Sequence, residues 1–70
     1  MLTEPNLPAY RAVLTAAALR RLGCLVLGCH AINGRPWVKA RLPAVDARER
    51  QRILAHAWQY PAMIEWGSAR

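Results

Sequence analysis

Arg35, Trp37, Lys39 and Arg41 occupy every second position of one short segment, so an extended backbone places all four on one side. Positions two apart on a strand are about 6.6 Å from each other. Cations at that spacing neutralise phosphates or meet acidic protein side chains, and an indole among them stacks on a base or fills a pocket. His30 lies just upstream, and Arg48, Arg50 and Arg52 follow downstream. The same alternation is also what a half-buried antiparallel strand shows when its cations guard the sheet edge. Arginines on a helix commonly form no more than a solvated face.

Other chemistry is poorly supplied. A metal site would need Cys24, Cys29, His30 and His56 to converge, but Cys29 and His30 are strand neighbours on opposite faces, and the spacings match no zinc pattern. The four acids, Glu4, Asp46, Glu49 and Glu65, are scattered, which leaves no carboxylate pair for acid–base work. A lone His30 beside cations has no second catalytic group. Gly23, Gly28, Gly34 and Gly67 form no phosphate loop. No enzyme activity, cofactor or metal is therefore expected.

At 70 residues and 54% apolar content, the chain is expected to be a single domain near the lower limit for a self-sufficient core. Ten basic against four acidic residues give a net charge of +6, and nine of the ten are arginine, the better fork for phosphate or carboxylate. The longest uncharged run, Leu22 to Gly34, falls short of a membrane span, and the N-terminal order is not that of a secretory signal. A soluble, cytoplasmic protein with no membrane contact is expected. Cys24 and Cys29 are too few for a disulfide framework and, five apart in one extended segment, should point to opposite faces as reduced thiols.

The elements that must position these residues follow from local signals. Asn6 can cap a helix from Leu7 to about Leu22, with Pro8 in the first turn and Arg20 and Arg21 at the negative end of the dipole. Gly23 supplies the left-handed stop. Tyr10, Val13, Leu14, Ala17, Ala18 and Leu22 have the spacing of one buried face. Cys24 to Ile32 and Arg35 to Leu42 read as strands joined at Asn33-Gly34, the dipeptide favoured by a type I′ hairpin turn. Asp46 and Glu49 have capping-box spacing for a second helix reaching about Tyr60, with Ile53, Leu54, Ala57 and Trp58 as its apolar stripe and Pro61 as its stop. Residues 62–66 can add a third strand, with Ala62, Ile64 and Trp66 on one face and Met63 and Glu65 on the other. The predicted fold is α+β, a two-layer αββα(β) arrangement in which both helices cover one face of an antiparallel hairpin sheet.

A two-residue turn also sets the register: Ile32 faces Arg35, Ala31 faces Pro36 and His30 faces Trp37. Continued without interruption, it sends Leu25, Leu27, Cys29 and Ala31 inward with Pro36, Val38, Ala40 and Leu42. Cys24, Val26, Gly28, His30 and Ile32 then turn outward with Arg35, Trp37, Lys39 and Arg41. The expected function is a small non-enzymatic binding module that engages DNA, RNA or another polyanion through this basic-aromatic face, with Arg48 and Arg52 extending the field. The alternative is a small inhibitor or adaptor of the kind phages and plasmids encode, anti-CRISPR and other anti-host proteins included, bound to an acidic or apolar surface of a host protein. A third expectation closes the open face in a homodimer.

Overall fold

The computed structural model describes residues 7–67. Their order is α1 (Leu7–Arg21), β1 (Leu25–Ile32), β2 (Arg35–Arg41), α2 (Ala47–Ala57) and β3 (Met63–Trp66), an α+β fold. The expected Asn6 cap lies outside the described residues. The three strands form one sheet in the order β1-β2-β3. It is mixed, not wholly antiparallel: β1 and β2 make the hairpin, while β3 returns through α2 to lie parallel to β2.

Helix α1 ends as its sequence demands. Gly23 adopts φ +93°, the Gly23 N–H donates to the Arg20 carbonyl at 3.0 Å, and the Cys24 N–H reaches the Leu19 carbonyl at 3.0 Å. These are the two bonds of a Schellman motif. The hairpin turn has φ +51° at Asn33 and +76° at Gly34, the left-handed pair that a type I′ turn requires. At the start of α2 the Asp46 carboxylate accepts from the Glu49 N–H at 2.8 Å. The reciprocal half of the expected capping box is not made, because the Glu49 carboxylate accepts from Arg52 instead. That helix closes at Ala57, one turn short of Tyr60.

The hairpin register agrees with expectation from the turn back to Gly28–Lys39, then slips. Val26 pairs with Ala40 and Leu25 with Arg41, so Leu27 is an extra residue in β1. A bulge reverses the in–out parity beyond it. Leu25 and Leu27, expected in the core, are therefore exposed, whereas Val26 packs on the core and Cys24 is buried within it. Cys29 also packs on the core, so the two cysteines turn to the same side rather than to opposite ones. Burial pushes the Cys24 thiol pKa up.

The core gathers Ala12, Ala16 and Leu19 of α1, Val38 and Ala40 of β2, and Ile53 and Ala57 of α2 into one cluster. Both helices thus contribute to the side of the sheet marked by Val38 and Ala40. The face of α1 that packs on β1 and β2 is Ala12, Thr15, Ala16 and Leu19, not the larger stripe through Tyr10, Val13 and Leu14, which is exposed. Small side chains let the helix axis approach the sheet closely; Tyr10 and Leu14 would hold it away. Trp58, expected in the stripe of α2, is 88% exposed just past the helix end. Among the described residues, the large aliphatic side chains that are fully buried are Leu19, Ile53 and Val38, while nine large apolar residues are exposed. Each buried aliphatic side chain is worth about 1.5–3 kcal/mol. Such a core leaves much apolar area for contacts with another molecule.

Candidate binding face

The face of the sheet away from the core is built in rows by the strand register. Arg35 stands opposite Ile32 next to the turn. In the next row Trp37 lies between His30 of β1 and Met63 of β3, and in the following one Lys39 lies between Gly28 and Glu65. Arg41 stands opposite Leu25 beyond the bulge. Five of the predicted site residues, His30, Arg35, Trp37, Lys39 and Arg41, therefore share one surface. Arg48 and Arg52 do not join it. Both are exposed on α2, which lies across the core from that surface, and Arg52 is tied to Glu49.

The cations on the face are not equally available. The Lys39 Nζ is 3.7 Å from the Glu65 Oε2, with both side chains about half exposed. Arg41 is half-buried: its stem lies against Gly67, where an added Cβ would come 3.2 Å from the Arg41 Cγ. Its Nε is buried with no hydrogen-bond partner among the described residues. Arg35 is exposed at the turn end. At Gly28 a Cβ would meet nothing within 4 Å, which leaves a shallow opening beside Lys39.

Apolar groups are more prominent here than uninterrupted alternation would allow. The bulge exposes Leu25 and Leu27 on β1, and Ile32 and Met63 are exposed as well. Nothing in the local sequence marks Leu27 as the inserted residue. At the free edge of β3, an apolar groove of about 510 Å³ runs between that strand and the end of α2, lined among others by Leu54, Trp58, Ile64 and Trp66. The signal for it was present in the Leu54/Trp58 spacing ahead of Pro61, but that spacing reads equally well as a buried stripe.

No family model, curated protein or solved structure matches this chain. Among the described residues, no three His, Cys, Asp or Glu side chains are grouped to hold a metal ion. No described helix is long and apolar enough to cross a membrane. Glu49 has its pKa lowered by the hydrogen bond from Arg52, as a surface helix pair does. What the open face offers is shape, apolar area and positive charge.

Proposed function

We propose that this chain is a non-enzymatic binding module that docks an acidic protein surface through the open sheet face and the adjoining edge of β3. Met63 carries this reading. It is 56% exposed, pairs in register with Trp37 and also lines the apolar groove beside Trp58, so it joins the two surfaces into one. Aromatic residues, Met and Arg are the types enriched at the centres of protein interfaces, whereas Leu25, Leu27 and Ile32 offer nothing to a phosphate. Arg35, Lys39 and Arg41 would form the charged rim. An apolar and aromatic surface rimmed by cations suits a small inhibitor or adaptor of the phage- or plasmid-borne class, acting in the cytoplasm.

A second reading, polyanion binding, is favoured by the exposed Arg35 and His30 flanking Trp37 and by the net charge of +6. The two separate by salt. Neutralising about three phosphates would cost roughly 40-fold in affinity between 50 and 200 mM salt. Binding of a 20-nucleotide DNA or RNA with that dependence, lost in Trp37→Ala, would replace the protein reading. The protein reading expects no such binding. It expects a specific partner, captured from the source cells by the parent chain and released by both Trp37→Ala and Met63→Glu. Capture unaffected by either substitution overturns it.

A further inference from the structure

Helix α1 is apolar on two sides and covered on one. Its inner side, Ala12, Thr15, Ala16 and Leu19, is buried against the sheet. On the outer side Leu7, Tyr10, Val13 and Leu14 are each about half exposed. A helix with an apolar stripe on two sides fits between two layers, and the described residues supply a layer on one side only.

The outer residues have a specific spacing. Leu7, Tyr10, Leu14 and Ala17 follow one another at intervals of three, four and three, which places them at a, d, a and d of two successive heptads. That is the seam along which a second helix packs knobs-into-holes. The flanking e and g positions hold Arg11, Ala18, Val13 and Arg20, and Arg21 takes the next a position. Helix α1 contains no acidic residue. Charges at e and g choose the partner in such pairs. A second copy of this chain would set arginine against arginine in a molecule already at +6, whereas a helix bearing Glu or Asp at its own flanking positions would pair with them.

We propose that the outer face of α1 docks an acidic amphipathic helix of a partner protein, with Leu7, Tyr10 and Leu14 packed into its apolar seam and Arg11 and Arg20 paired with its carboxylates. This surface is separate from the open sheet face, since the sheet and α1 itself lie between them. Both could be occupied at once, as an adaptor requires. Two heptads span about 21 Å of helix, so the contact belongs with small, transient interfaces of roughly micromolar affinity.

The test uses the full chain and two synthetic 21-residue helices that share Leu at a and d, one with Glu and the other with Lys at e and g. The Glu helix should bind at least tenfold more tightly than the Lys helix, and Leu14→Gln should weaken it about tenfold. Arg11→Glu with Arg20→Glu should reverse the preference. Tyr10→Ser serves as a second seam variant if Leu14→Gln lowers Tm. Equal binding of the two helices, or binding indifferent to both seam variants, overturns the proposal. Concentration-dependent dimerisation abolished by Leu14→Gln would assign the face to a second copy instead. Seam-dependent binding to phosphatidylglycerol vesicles, with neither peptide bound, would assign it to a lipid surface. Because Trp37→Ala leaves this face intact, failure here and failure of the sheet-face reading are distinguishable.

Discussion

Lys39 and Glu65 face each other across the parallel β2–β3 pair, and their ion pair places an acidic side chain against the central lysine of the open face. Half-exposed pairs of this kind contribute about 0–1 kcal/mol, so Glu65→Gln should change stability by less than that. It should nevertheless strengthen binding of an acidic partner and steepen its salt dependence, because Lys39 is released and net charge on the face rises. Titration of the captured partner at two salt concentrations checks this; unchanged affinity would mean that Lys39 is no part of the contact.

Thr15 is 1% exposed, and its Oγ1 has no hydrogen-bond partner among the described residues. An unsatisfied buried hydroxyl costs about 1–3 kcal/mol, and valine has the same branched shape. Thr15→Val should stabilise the chain by roughly 1 kcal/mol, raising Tm by about 4–8 °C. A fall in Tm would show that the hydroxyl has a partner in solution.

Gly23 at φ +93° closes the Schellman motif, and a Cβ there would find room, its nearest contact being Pro43 at 3.9 Å. The cost of Gly23→Ala is therefore conformational, about 1–2 kcal/mol for the left-handed backbone. Thermal unfolding should show a destabilisation of that order, with far-UV circular dichroism unchanged below the transition.

The Glu49 carboxyl is held below its ordinary value of about 4.5 by the Arg52 hydrogen bond. A depressed carboxylate contributes stability above its unfolded pKa and loses it as pH falls through the folded value. The difference in Tm between the parent chain and Glu49→Gln should thus be greatest near neutrality and shrink below about pH 4.5. Both side chains are about half exposed, so the effect should be small and weakened by salt.

Several features were legible in sequence because one or two residues decide them locally. Asn33-Gly34 tolerates positive φ at both turn positions, Gly23 ends α1, and the Asp46 side chain reaches the Glu49 N–H. The alternation through residues 62–66 also holds, with Ala62 buried and Met63 and Glu65 exposed. From these came the α+β class, the hairpin and the shared side of His30, Arg35, Trp37 and Lys39.

Tertiary structure decided what depends on competition between surfaces. Helix α1 offers two apolar stripes, and hydropathy favours the one through Tyr10 and Leu14. The narrow space over Val38 and Ala40 admits the alanine stripe instead, because packing density near the sheet rewards small volume rather than hydrophobicity. The bulge at Leu27 has no local marker; it brings Val26 and Cys24 to the core side at the expense of Leu25. The parallel placement of β3 pairs Trp37 with Met63 across the whole of α2, a long-range contact that no local signal encodes. Backbone conformation at turns and caps is a property of single residues, and so the sequence determined it. Which apolar side chains stay outside, and so which surfaces can bind, depends on the volume available between layers, and only the assembled fold sets that.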